Sequence, residues 1–134
     1  MQEIKSTRHS VYLCNYHFVF IPKYRKSILG GTVKTDMEDL FIKIAKKYEI
    51  EIVAMEIMPD HVHLFVNAPP RYSPAYIIKL FKGTSARFIN QKYPELKKDS
   101  VSIWTRSYFV STAGNMSADT VKRYIEDQWK NAKK

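Results

Sequence analysis

Residues 49–68, EIEIVAMEIMPDHVHLFVNA, decide how this chain folds. Glu49 to Met58 reads as a strand, Pro59-Asp60 is a turn signal, and the run to Ala68 reads as a second strand, so the stretch predicts a hairpin. Successive strand side chains alternate faces: His61, His63 and Phe65 share one side, Val62, Leu64 and Val66 the other. The apolar row needs a core. The other row brings two imidazoles over one small volume. Imidazole is the commonest protein ligand for a catalytic metal, and two on a rigid strand make half of a site whose remaining positions can stay open. Two histidines at this spacing also serve as hydrogen-bonded structural residues, so the rest of the chain has to say what meets them.

Upstream, Val11 to Ile21 reads as one strand, with Tyr12, Cys14, Tyr16, Phe18 and Phe20 alternating against Asn15 and His17. His17 is placed to face the histidine row from a neighbouring strand or to act structurally. The basic cluster Lys23, Tyr24, Arg25, Lys26 and a Gly30-Gly31 turn follow. Thr35 and Glu38 form a capping-box pattern for a helix whose apolar positions are Met37, Leu40, Phe41, Ile44, Ala45 and Tyr48. Downstream, Pro69-Pro70 stops the histidine strand, and Ser73-Pro74 starts a second helix with the stripe Ile77, Leu80, Phe81, Phe88, Ile89; Lys79, Lys82 and Arg87 lie off that stripe. Val101 to Thr112 suggests a last strand. Gly114 breaks the chain, and Ser117 can cap a final helix. The order β-α-β-β-α-β-α predicts an α+β, ferredoxin-like fold: an antiparallel sheet with two helices on one face and an added C-terminal helix joined through a glycine, free to pack elsewhere, even on a partner subunit.

At 134 residues the chain is expected to form a single domain, 1–134. Its 45% apolar residues are spread in runs too short to span a membrane, the N-terminus lacks a signal-peptide core and there is one cysteine, so a cytoplasmic location is the expectation. A net charge of +9 favours a polyanionic partner, nucleic acid first. The clusters Lys23, Arg25, Lys26 and Lys79, Lys82, Arg87 are candidate phosphate contacts and equally ordinary solvated faces.

On the last helix Tyr124 and Gln128, four residues apart, share one face. A tyrosine beside Val121 and Ile125 is ordinarily a core aromatic, but an amide next to it would need polar partners if buried. The alternative is a phenol nucleophile next to an amide oxygen which, with two imidazoles, makes a mixed N/O shell for a divalent ion acting as Lewis acid on a phosphate. Asp60 either orients a histidine or closes the turn.

His61-Val62-His63 and Val121 to Gln128, together with Ile21-Pro22-Lys23-Tyr24-Arg25 and Trp104 to Gly114, resemble the HUH-superfamily single-tyrosine transposases, the TnpA-type enzymes of minimal bacterial and archaeal insertion sequences. The resemblance runs along nearly the whole chain. It implies that His61, His63 and Gln128 hold Mg²⁺ or Mn²⁺, and that Tyr124 attacks a scissile phosphate of single-stranded DNA to give a 5′-phosphotyrosine and a free 3′-OH. It also implies recognition of DNA hairpins, and a homodimer in which Gly114 lets the tyrosine helix complete the partner's site. Three other readings remain at this level. One is a non-catalytic module that binds single strands by stacking. Another is a domesticated relative acting on chromosomal hairpins. The third, a phosphoesterase using water, is disfavoured because few carboxylates lie near the histidines.

Overall fold

The computed structural model describes residues 4–23, 26–96, 102–112 and 123–127. A small hairpin, β1 (Lys5–Ser6) and β2 (Val11–Tyr12), precedes a four-stranded antiparallel sheet of β3 (Asn15–Phe20), β4 (Glu51–Met58), β5 (His61–Asn67) and β6 (Phe109–Ser111), in the order β4-β5-β3-β6. Helix α1 (Gly31–Lys47) joins β3 to β4, and α2 (Pro74–Lys92) joins β5 to β6. This is the expected ferredoxin-like arrangement, with the expected hairpin β4–β5 pairing Met58 with His61.

Alternation along the two central strands sorts the sheet into two faces. Phe18, Phe20, Val62, Leu64 and Val66 are wholly buried, packing with Met37 and Phe41 of α1 and Ile77, Phe81 and Ile89 of α2. His17, Val19, His61, His63 and Phe65 take the opposite face. There a smaller apolar cluster forms from Val19, Ile21 and Ile125, flanked by Phe109 and Tyr124. Residues 123–127 are helical, so the described part of the last helix lies on the histidine face of its own sheet. Gly114, Ser117 and Gln128 lie outside the described residues, as does Arg25.

Three elements differ from the sequence expectation. The first strand is split: β2 pairs with β1, and the chain rejoins the main sheet only at Asn15. At the break the Cys14 amide donates to the side-chain Oδ1 of Asn67, 2.9 Å away, and the Cys14 carbonyl accepts from Ala68 N, 3.0 Å away. Helix α1 begins at Gly31, four residues before the Thr35 capping box; Gly31 has φ +56°, a conformation that favours glycine, and Thr35 instead turns its hydroxyl back to the Gly31 carbonyl. The last strand is short because Trp104 turns into the core. Its ring meets Phe20 edge-on at 4.8 Å, and its indole N–H donates to the Ser85 hydroxyl at 2.9 Å. Backbone bonds from Thr105 N to Ile21 O and from Lys23 N to Ile103 O still hold the segment along the end of β3. Helix α2 starts as expected: Ser73 accepts from Tyr76 N at 3.1 Å, and Pro74 is its first residue.

Candidate active site and nucleic-acid interface

Strand β5 positions both candidate metal ligands. His61 begins the strand just after the Pro59-Asp60 turn, and the turn carboxylate meets its ring: Asp60 Oδ1 lies 3.0 Å from His61 Nδ1. A carboxylate only accepts, so His61 donates from Nδ1, an arrangement that in the neutral ring leaves Nε2 as the electron-pair donor. The same contact supports the reading in which Asp60 orients a histidine. His63 is half-buried, with Val19 opposite it on β3 and Glu56 opposite it on β4. Burial, and then the nearby His17, hold its pKa below the ordinary imidazole value, which favours the neutral form that binds metals.

His17 completes this corner. Its Nδ1 lies 3.3 Å from His63 Nε2, its ring stacks on Phe65 with centroids 4.0 Å apart and planes 5° from parallel, and it is 5% exposed. The sequence placed His17 on the correct row of its strand, but only the register, which pairs it with Phe65 and so sets it diagonally to His63, brings the rings together.

Paired imidazoles, one ring met by a carboxylate and the other with its pKa lowered by burial, suit a divalent ion that accepts nitrogen donors. Among the described residues no set of three His, Cys, Asp or Glu side chains gathers in a metal-binding arrangement, and the third expected ligand, Gln128, lies outside them.

Tyr124 reaches the same face from above. Its ring packs against Phe109, centroids 5.9 Å apart, and its hydroxyl donates to Ser107 Oγ at 3.4 Å. Burial pushes its pKa up, partly offset by that hydrogen bond. Ser107 precedes β6, which borders β3 on the side away from β5, so the phenol's partner lies about two strand spacings, roughly 10 Å, from the histidine strand.

The basic residues separate into two settings. Lys23, Lys82 and Arg87 line an open groove of about 620 Å³ between α2 and the 102–106 segment, whose floor includes Trp104. Lys79 and Lys82 line an adjoining hollow of about 270 Å³ with Tyr108. Arg106 lies in both and was not singled out from the sequence, although it sits inside the Trp104 to Gly114 block. Lys82 is the exception among these cations: its ammonium donates to the carbonyls of Thr105, at 2.7 Å, and Ser107, at 3.1 Å, and burial lowers its pKa to about 8. Lys26 is half-buried and lines neither hollow.

A ferredoxin-like sheet whose open face carries a His-x-His pair and receives a tyrosine-bearing helix defines the HUH single-tyrosine transposases, enzymes that cut DNA and transfer its strands. The chain belongs to the family described as "Transposase IS200 like", whose match covers residues 10–128. It is 36% identical over 128 residues to the ISDra2 transposase TnpA of Deinococcus radiodurans, spanning 94% of this chain and 91% of that protein. With the transposase for insertion sequence element IS200 of Salmonella typhimurium it shares 29% identity over 132 residues, 95% of this chain and 87% of that one. Its fold is similar to a Deinococcus radiodurans R1 crystal structure described as a transposase, with TM-score 0.85 and 35% identity over 93% of this chain and 98% of that one. The fold also matches the REP-associated tyrosine transposase bound to a REP hairpin, at TM-score 0.60 and 17% identity over 98% and 72% of the two chains. Among the described residues no helix is long and apolar enough to cross a membrane.

Proposed function

We propose that this transposase cuts and rejoins single-stranded DNA with Tyr124 as nucleophile. The observation that carries the reading is the packing of the Tyr124 helix on the sheet face that bears both histidines. The phenol oxygen attacks the scissile phosphorus, the bond from phosphorus to the 3′ oxygen breaks, and the phenol proton ends on that oxygen, leaving a 5′-phosphotyrosine and a free 3′-OH. Attack by another 3′-OH reverses the step, so no external energy source is consumed. His61 and His63, with Gln128 as the third ligand, would hold Mg²⁺ or Mn²⁺, which supplies Lewis-acid polarisation of the phosphate.

Hairpin DNA is the proposed substrate. The named REP-bound neighbour binds a hairpin, and the groove lined by Lys23, Arg87 and Arg106 offers cations to phosphates beside an indole ring. Lys79, Lys26 and Arg25 extend the set of proposed phosphate contacts. Lys82 belongs to it through the loop it holds, since its ammonium is already bonded to two carbonyls.

The reading includes a homodimer in which each tyrosine helix, swung about Gly114, serves the partner's histidines. The distance between the Tyr124 resting place and the histidine strand supports it. An insertion-sequence role is favoured over a domesticated one by the two insertion-sequence relatives that align along nearly all of the chain. In the deciding experiment, the protein is incubated with Mg²⁺ and the single strands that flank its own coding sequence, then run on a denaturing gel. A protein–DNA adduct that disappears in Tyr124→Phe is expected; no adduct, or one undiminished in Tyr124→Phe, overturns the proposal.

A further inference from the structure

The contact between His17 and His63 has a consequence for which nitrogen of each histidine can bind a metal. A neutral imidazole has one N–H and one electron pair. At His61 the question is closed, because Asp60 accepts from Nδ1 and leaves Nε2 as the donor atom. At His63 it is Nε2 that is engaged, 3.3 Å from Nδ1 of His17, and two proton arrangements satisfy that contact. If His17 donated, the electron pair on His63 Nε2 would be used and His63 Nδ1 would carry the proton, leaving His63 with nothing to offer a metal. If His17 accepts, His63 carries its proton on Nε2 and has a free pair on Nδ1.

We propose that His17 is a positioning residue that accepts the Nε2 proton of His63 and so makes Nδ1 of His63 its ligating atom. The inference rests on the reading of His63 as a metal ligand. Two features suit His17 to the task. It is 5% exposed and lies flat on Phe65, so its ring is held on both the strand and the stacking side. It comes from β3, a strand paired on both edges, so its position is fixed by the centre of the sheet and not by a loop. The two histidines of the motif then present opposite nitrogens, Nε2 from His61 and Nδ1 from His63, each set by a partner of different kind: a carboxylate from the preceding turn and an imidazole from the neighbouring strand.

The test has two readouts. Long-range ¹H–¹⁵N spectra of the metal-free protein report the tautomer directly: His63 is expected with its proton on Nε2, and with Zn²⁺ as a diamagnetic probe its Nδ1, not its Nε2, should shift. A proton on Nδ1 of His63, or ligation through Nε2, overturns the proposal. Mn²⁺ binding, followed by the loss of the free-ion electron paramagnetic resonance signal, supplies the second readout. His17→Phe is expected to weaken it 10- to 100-fold, while His17→Asn, which keeps an acceptor oxygen near the Nδ1 position, stays within a few-fold of wild type. A folded His17→Phe that binds Mn²⁺ as tightly as wild type overturns the role, as does a folded His17→Asn as weak as His17→Phe. Should His17→Phe not fold, the wild-type tautomer and the Asn variant still decide. Wild-type protein that binds no Mn²⁺, or binds it equally after His61→Ala, instead overturns the metal-site reading, and the metal-free tautomer still tests His17.

Discussion

The Tyr124 hydroxyl rests on Ser107, 3.4 Å away, on the opposite side of β3 from the histidine strand. Ser107 is in turn held through its carbonyl by Lys82 of α2, at 3.1 Å. The loop that borders the basic groove is therefore the same loop that receives the nucleophile candidate.

Removing the Ser107 hydroxyl should free the phenol without disturbing the fold. The side chain is exposed, so Ser107→Ala is expected to change stability by no more than about 0.5 kcal/mol in chemical denaturation. A net hydrogen bond of about 1 kcal/mol corresponds to roughly fivefold in an equilibrium, so adduct formation should rise by up to that factor. A loss of adduct comparable to Tyr124→Phe would place Ser107 in the reacting arrangement instead.

Chelation separates binding from chemistry. EDTA should abolish the covalent adduct and leave hairpin binding in a gel-shift assay intact, with Mn²⁺ restoring the adduct. Asp60→Ala removes the acceptor that fixes the His61 ring and should weaken Mn²⁺ binding by about 10- to 100-fold; unchanged affinity would return Asp60 to a turn-closing role.

Lys82 gives a pH signature. Its folded-state pKa, lowered by burial to about 8, lies below the ordinary lysine value of 10.5, so between these values the unfolded chain binds more protons than the folded one. Stability from this group therefore rises as pH increases from about 8 towards 10.5 and is flat below that window. Comparing wild type with Lys82→Met by denaturation across this range should show the wild type gaining on the variant as pH rises; parallel curves would mean that the two carbonyl contacts keep the ammonium's pKa normal.

Arg106 tests the groove. If it contacts a phosphate, Arg106→Ala should weaken binding of different hairpins to a similar degree and reduce the slope of log affinity against log salt by about 1. An unchanged slope would remove Arg106 from the interface.

Ser85 tests the core beneath that groove. Its hydroxyl accepts from the Trp104 indole at 2.9 Å and donates to the Phe81 carbonyl at 2.6 Å, all in buried surroundings. Ser85→Ala leaves the indole N–H without its acceptor and should cost about 1–3 kcal/mol in denaturant unfolding. A smaller loss would show that Trp104 turns to find another acceptor.

Much of the fold was legible because its signals are local. Alternation in Asn15–Phe20 and His61–Asn67 marks two half-buried strands, and Ser73-Pro74 marks the α2 start. Two of the three misplacements share a cause: a long-range partner overrode a local pattern. Asn67 captures the Cys14 amide and splits the first strand, and Ser85 with Phe20 draws Trp104 out of the last one. At the site, Tyr124 and the His61/His63 pair were visible as motifs. Ser107 and Arg106 have no pattern of their own, because their relevance comes from what packs beside them.

The sequence by itself determined that His61 and His63 share a face opposite the core, since strand alternation is built into backbone geometry and needs no partner. It also determined the family, through motifs spread along the whole chain. The tertiary structure alone decided that His17 meets His63, because that contact depends on the register between β3 and β5, which buried packing across the sheet selects. It alone decided where the tyrosine helix rests: Ile125 docks on Val19 and Ile21, residues over a hundred positions away in the chain, and no local preference of the helix contains that address.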